Sequence, residues 1–314
     1  MSSPTIYVAG HKGLVGSALH RMAVRLGYDN VVVRDRAELD LLNAEAVDDF
    51  FAEIKPKWAF LAAAKVGGIY ANNTYPADFM LENLIIQNSV ISAAHRHGVA
   101  KLLFLGSSCI YPKNSPQPIK EDYLLSSYLE TTNEAYALAK IAGVKLCGAF
   151  NRQYGTNYMS VMPSNLYGLN DNYHPKDGHA LPMLLRRFHE AKVANQKAVT
   201  VWGTGKPRRE FLFADDLAEA CFFLMEKFEA ADVGELINVG PGKDIEIRDL
   251  ASLIAEVVGF NGEILFDASK PDGTMSKCLD VSKISELGWV YKTELKEGLK
   301  ITYQDFLVNP SIRR

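Results

Sequence analysis

Short apolar runs alternate with amphipathic stretches through the first half of this 314-residue chain. Ile6-Tyr7-Val8-Ala9 is followed by glycines, then by Leu14, Ala18, Leu19 and Met22 recurring at helical spacing. Val31-Val32-Val33 is the next β-branched run. Val47, Phe50, Phe51 and Ile54 mark a helix over 46–54, and Trp58-Ala59-Phe60-Leu61-Ala62 reads as a buried strand. A long helix is expected from about Ala77 to His97, with Leu102-Leu103-Phe104-Leu105 returning as strand. Continuous apolar strands alternating with helices predict a parallel sheet covered on both faces. Right-handed crossovers between them make this an α/β, doubly wound fold.

Beyond residue 160 the rhythm changes. Asn170 to Gly178 is polar, contains Pro175, and reads as a loop. Leu181 to Lys192 is helical in pattern, and Val199-Thr200-Val201-Trp202 is a short strand ending at Gly203-Thr204-Gly205. Phe211-Leu212-Phe213 and a helix through Phe228 are expected to return to the first domain. Ile237-Asn238-Val239 reads as strand, and Ile247 to Val258 and Lys283 to Leu287 as helices of a smaller C-terminal domain. The expected division is residues 1–165 plus about 208–238 for a cofactor, and about 166–207 plus 239–314 for a substrate.

Composition narrows the function. At 48% hydrophobic and 23% charged, the chain is that of a soluble globular protein. A net charge of -3 gives it no general affinity for nucleic acid or an anionic membrane. Its apolar runs fall well short of the ~18 residues that span a bilayer, and the N-terminus lacks the pattern of a signal peptide. Four scattered cysteines form neither a disulfide framework nor a metal-ligand spacing. These features predict a cytoplasmic, reduced protein.

The candidate chemistry begins at Gly10, Gly13 and Gly16, where the first predicted strand turns into the first helix. The first glycine permits the tight turn, the second lets a diphosphate approach the backbone, and the third lets the helix pack close to the sheet. The second predicted strand ends in Val33-Arg34-Asp35-Arg36. Arg34 and Arg36, with Lys12 in the glycine loop, favour a 2′-phosphate and hence NADP(H). The carboxylate of Asp35 opposes them. Tyr136 and Lys140, four residues apart, share a helix face. The lysine charge is expected to lower the phenol's pKa, so that Tyr136 exchanges a proton near neutral pH. Ser107, at a strand end, is placed to hold a substrate oxygen. Cys109 offers a thiol for proton transfer at carbon, although a lone cysteine there is more often a buried small side chain. His179, taken alone, is more often a surface residue than a catalyst.

These residues resemble the extended short-chain dehydrogenase/reductase family. Within it they are similar to the GDP-L-fucose synthases, the branch that epimerises GDP-4-keto-6-deoxy-D-mannose at C3 and C5 and reduces it at C4. The resemblance runs through Gly10-His11-Lys12-Gly13-Leu14-Val15-Gly16, Ala62-Ala63-Ala64-Lys65-Val66-Gly67-Gly68-Ile69, Asn72 to Phe79, and Leu105-Gly106-Ser107-Ser108-Cys109-Ile110-Tyr111-Pro112. It continues through Tyr136 to Lys140, Asn151 to Gly155, Met162 to Gly168 and Lys270-Pro271-Asp272-Gly273-Thr274. The resemblance implies a Rossmann domain for the cofactor and a smaller α/β domain for the sugar nucleotide. It implies that Ser107, Tyr136 and Lys140 form the reductase triad and that Cys109 and His179 form the acid–base pair for epimerisation. Around NADP(H) it implies Gly10, His11, Lys12, Gly13, Leu14, Val15 and Gly16, with Arg34, Arg36, Leu105, Lys140, Pro163, Ser164, Asn165, Leu166 and His179. Arg187, Trp202, Arg209 and Asp272 are implied as contacts to the sugar nucleotide. A homodimer is implied through the long helix from about Ala77 and the helix of Tyr136. Lys12 and Asp35 depart from the family pattern, where an arginine and a neutral residue are expected.

Two other readings remain open on sequence. One is a 4-epimerase or dehydratase of the same fold, which keeps and recycles its NAD. The other is a non-catalytic NADP-binding regulator, which would not need Tyr136, Lys140 and Cys109 together.

Overall fold

The computed structural model describes residues 3–175, 178–270, 272–309 and 312. Pro271, in the last of the segments above, lies outside the described residues. In chain order the strands are β1 (Ile6–Ala9), β2 (Val31–Val32), β3 (Trp58–Leu61), β4 (Lys101–Leu105), β5 (Tyr158–Pro163), β6 (Asn165–Tyr167), β7 (Ala198–Trp202), β8 (Arg208–Phe213), β9 (Ile237–Val239), β10 (Asp244–Glu246) and β11 (Glu263–Asp267). The helices are α1 (Leu14–Arg25), α2 (Ala44–Ile54), α3 (Ile69–Thr74), α4 (Pro76–Arg96), α5 (Glu134–Tyr154), α6 (Ala180–Val193), α7 (Ala214–Lys227), α8 (Ala230–Val233), α9 (Ile247–Val258), α10 (Ser282–Glu286) and α11 (Leu295–Val308).

Six strands form one parallel sheet in the order β2-β1-β3-β4-β5-β9. The expected α/β doubly wound fold is therefore present. The order reverses beside β1, and such sheets bind ligands at the carboxyl ends of the strands flanking the reversal. Tyr7, Leu61, Leu102 and Phe104 face one core, packed under α2, α4 and α5. Ile6, Val8, Phe60 and Leu103 face the other, under α1 and α7. Each strand thus sends alternate side chains to opposite cores, which is why its run is continuously apolar.

Local signals explain the helix ends. Asn43 caps α2 by accepting from the N–H of Glu45 and Ala46. Pro76 opens α4, where its missing N–H costs nothing. Gly155 closes α5 with a left-handed φ of 65°.

The smaller part holds two further sheets, β10-β8-β6 and the parallel pair β11-β7. Their core joins Tyr167, Leu185, Phe188, Val201, Ile254 and Leu299. β8 pairs in the three-stranded sheet, while α7, directly after it, packs in the core beside α1. β6, β10, β11, α3, α8 and α11 have no counterpart in the sequence reading. The β10 segment, Asp244-Ile245-Glu246, carries two charges in three residues and shows no strand pattern. Among the described residues, no helix is long and apolar enough to cross a membrane.

Candidate active site

The glycine turn is built by close approach. Gly10 adopts φ +86°, and a Cβ there would stand 2.8 Å from the backbone of Ala63, just past β3. A Cβ on Gly16 would collide with the carbonyl of Gly10. Gly13 donates its N–H to that same carbonyl at 2.9 Å and serves as the N-cap of α1 without a side-chain cap bond. The first turn of α1, with Leu14 and Val15, therefore presents backbone N–H groups and the positive end of the helix dipole. These residues fit the diphosphate of a dinucleotide.

The cations beyond β2 are engaged differently from one another. Lys12 pairs with Asp35 at 2.8 Å. The other oxygen of Asp35 accepts from the N–H of Ala37 and Glu38. Arg34 donates to the carbonyl of Val33 and lies over the ring of Phe50. Arg36 is exposed, with only a 3.5 Å contact to Asp40. The pKa of His11 is lowered, chiefly by burial and then by Lys12.

Ser107, Cys109, Tyr136 and Lys140 come together above β4. Ser107 caps a single 3₁₀ turn, Ser108–Ile110, and its Oγ accepts from the N–H of Cys109. The same hydroxyl interacts with the phenol of Tyr136 and the thiol of Cys109. α5 can approach β4 closely because residue 143 is glycine; a Cβ there would collide with the ring of Phe104. Gln87 of α4 donates to the carbonyl of Ala139 at 2.7 Å and holds α5 in place. Lys140 Nζ then reaches the carbonyl of Leu105 at 2.8 Å.

The electrostatics correct one expectation. The phenol of Tyr136 is held above its ordinary pKa, because burial outweighs the stabilising bond to Ser107. Lys140 is itself pushed down to about 8 by burial, and its ammonium is directed to the Leu105 carbonyl. Burial likewise raises the Cys109 thiol, opposed by Lys277, Ser107 and Lys140. Tyr136 and Cys109 thus both hold their protons at neutral pH.

Lys277 was missed by sequence reasoning. It lies on the segment after β11, half-buried, with burial lowering its pKa and Cys109 the first group to oppose that shift. No local motif marks it, since Cys109 is far away along the chain.

The arginine doublets are sorted by their partners. Arg186 pairs with Glu190, and Arg208 with Asp244 and Glu246. Arg187 donates instead to the carbonyl of Thr200, and Arg209 to those of Arg208 and Thr274. Trp202, at the end of β7, is 67% exposed with Lys270 over its ring. Asp272 accepts from the N–H and hydroxyl of Thr204 at 2.8 and 2.6 Å, which ties the Gly203 turn beside Trp202. His179 is exposed and stands as the N-cap of α6. Pro163 ends β5. Ser164 donates its N–H to Val239, Asn165 its amide to the Glu210 carbonyl, and Leu166 packs against the α1–α7 core.

Comparison with known proteins follows the same lines. Residues 6–240 match the model of the NAD dependent epimerase/dehydratase family. The chain is 55% identical over 307 residues to GDP-L-fucose synthase 1 of Arabidopsis thaliana, covering 98% of this chain and 94% of that protein. It is 54% identical to GDP-L-fucose synthase of Escherichia coli strain K12, covering 98% of each. Among solved structures, a GDP-mannoheptose C4 reductase from Campylobacter jejuni with NADP bound superimposes with a TM-score of 0.91 at 41% identity, covering 98% of this chain and 99% of that one.

Proposed function

The chain belongs to the NAD dependent epimerase/dehydratase family and, within it, to the GDP-L-fucose synthases, and from that premise we propose how its residues divide the work. It is an epimerase-reductase with GDP-L-fucose synthase activity, acting on GDP-4-keto-6-deoxymannose with a nicotinamide dinucleotide. The cofactor is NADP(H), a reading supported by exposed Arg36 past β2 and by the NADP-bound relative. When bound, it supplies the hydride for C4.

The observation that carries the reading is the cluster past β4 in which half-buried Ser107 and Tyr136 meet buried Cys109 and Lys140, with Ser107 interacting with both the phenol and the thiol. The 4-ketone acidifies the substrate protons at C3 and C5. Cys109 and His179 exchange those protons on opposite faces of the sugar, while Ser107 and Tyr136 stabilise the enolate oxygen by hydrogen bonding. Tyr136, protonated at neutral pH, then gives its proton to the C4 oxygen. Lys140 orients this end of the site through its bond to Leu105. Arg187 and Arg209, without carboxylate partners among the described residues, suit a diphosphate. Trp202 offers a flat surface for base or sugar, and Asp272 ties the turn beside it through Thr204.

Residues 1–165 with about 208–238 serve the cofactor, and about 166–207 with 239–314 the substrate, with β8 at the seam. The four free cysteines suit a reducing, cytoplasmic compartment. Exposed Leu81 on α4 and Leu138 on α5 favour a two-fold dimer; light scattering at micromolar concentration should return twice the chain mass, and a monomer would remove this part.

The decisive assay is NADPH oxidation with GDP-4-keto-6-deoxy-D-mannose, followed by proton NMR of the product. GDP-L-fucose should form with one NADPH consumed per turnover. A reduced product unchanged at C3 and C5 would mean a plain C4 reductase.

A further inference from the structure

Glu210 of β8 is 0% exposed. One of its carboxylate oxygens accepts the N–H of Gly242 and the other that of Leu279, both at 2.8 Å. Among the described residues no arginine or lysine pairs with it. Gly242 lies just past β9, at the carboxyl end of the large sheet, and Leu279 stands two residues beyond Lys277. The Lys277 segment is stitched to β8 at two further points. Arg208 N–H donates to the Met275 carbonyl at 2.7 Å, and Arg209 Nη1 to that of Thr274 at 2.6 Å. Glu210 is therefore where the large sheet, the small sheet and the Lys277 segment are joined. Space is tight: a Cβ on Gly240 would collide with the Glu210 carboxylate.

The surrounding charges are few. Asp244 stands opposite Glu210 in the β8–β10 ladder and is paired with Arg208. Cys278 and Asp280 lie on the joined segment, and Arg209, next on the strand, turns to the Thr274 carbonyl. Burial pushes the carboxyl of Glu210 up to about 7, against its two N–H bonds and with a smaller push from Asp244.

We propose that Glu210 is a positioning residue: its carboxylate holds the Lys277 segment onto β8, setting Lys277 toward Cys109 and Arg209 toward the diphosphate of the sugar nucleotide. The inference rests on the site reading above. Each oxygen faces a backbone donor. Protonation makes one of them a hydroxyl, and an amide replaces one with NH₂, so either change sets a donor against a donor.

The experiment is titration calorimetry on the full chain, wild type against Glu210→Gln. GDP-mannose is the probe, since its diphosphate diester does not titrate near neutrality, and NADPH is the control. Because the carboxyl is ionised above its pKa, wild-type affinity for GDP-mannose should fall about ten-fold from about pH 8 to about pH 6. Glu210→Gln should bind about ten-fold more weakly at the upper pH, lose that pH dependence, and bind NADPH as wild type does. Gly240→Ala, which displaces the same carboxylate, should reproduce the loss of GDP-mannose affinity and of its pH dependence and carries the test if the first variant does not fold; its Cβ also meets Ser164, so NADPH is the control for Glu210→Gln alone. Wild-type affinity and pH dependence in Glu210→Gln, or an equal loss of NADPH binding, would overturn the proposal. A wild type that binds NADPH but never GDP-mannose would instead remove the underlying site reading.

Discussion

The two walls of the site are held by different forces. The wall proposed for the cofactor hangs on β1, β3, β4 and β5, whose side chains are almost wholly buried in the two cores flanking the large sheet. Ser107, Tyr136 and Lys140 sit directly on that layer. The wall proposed for the substrate carries Trp202, Arg209, Asp272 and Lys277 on short, half-exposed strands and connecting segments. There, buried polar groups make the joins. Asn238 donates its amide to the carbonyls of Ile119 and Asp280, and Asp216 receives the 292–293 turn. Apolar burial is strong but non-directional, at roughly 25 cal/mol per Å². A buried hydrogen bond contributes less net stability but fixes geometry, and leaving one partner unpaired costs about 1–3 kcal/mol. Damage to the first wall should appear in the chemical step, and damage to the second in posture and binding.

The largest expected effect tests the first half of that contrast. Tyr136→Phe removes the proposed proton donor and leaves the apolar support intact. Reduction should fall by roughly 10²–10⁴-fold, the usual worth of general acid catalysis, while NADPH still binds. Exchange of the C3 and C5 protons with D₂O should be slowed less than reduction, because Ser107 still stabilises the enolate oxygen and Cys109 and His179 are intact. Cys109→Ser should do the reverse, because a hydroxyl is far too weak an acid to replace the thiol. Exchange should collapse by a comparable factor, and slow reduction should give a sugar of the wrong configuration. Proton NMR reads both variants. Loss of both reactions together in each would mean that the cluster acts only as one unit.

A smaller effect tests the second wall. The carboxylate of Asp216 accepts the N–H of Lys292 and Thr293 and the hydroxyl of Thr293, at 2.7–3.0 Å. Asp216→Ala removes three hydrogen bonds that a buried carboxylate makes to this partly exposed turn, at about 2 kcal/mol. The melting temperature should drop by roughly 3 °C in a chain of this size. Activity at low temperature should stay within about three-fold, because α7 remains packed beside α1. An unchanged melting temperature would show that the polar joins do not hold this wall.

The same contrast decides what the sequence could reveal. Continuous apolar runs made β1, β3 and β4 legible, and Gly10 and Gly16 were legible because close approach demands glycine at fixed spacing. Tyr136 and Lys140 were recognisable at four residues apart, but spacing carries no information about burial. The expected lowering of the phenol's pKa therefore did not hold. β10 was hidden because its strand character comes from pairing with β8 and not from its own residues. Lys277 and Glu210 were hidden because each acts on groups distant in the chain.

The smallest effect concerns the rim of the cofactor wall, where neither apolar burial nor buried hydrogen bonds operate. Arg36 is solvated and touches Asp40 only at 3.5 Å, so its charge is screened and its orientation is free. Arg34 is turned toward Val33 and Phe50, and Lys12 is neutralised by Asp35. Discrimination between NADPH and NADH should therefore rest mainly on Arg36. Arg36→Ala should weaken NADPH about three- to ten-fold and leave NADH nearly unchanged. Asp35→Asn should act in the opposite sense, releasing Lys12 for the 2′-phosphate and removing the competing carboxylate. Fluorescence titration of both dinucleotides gives the ratio directly. Equal losses for NADPH and NADH in Arg36→Ala would assign discrimination to another group and make the rim a solvated surface.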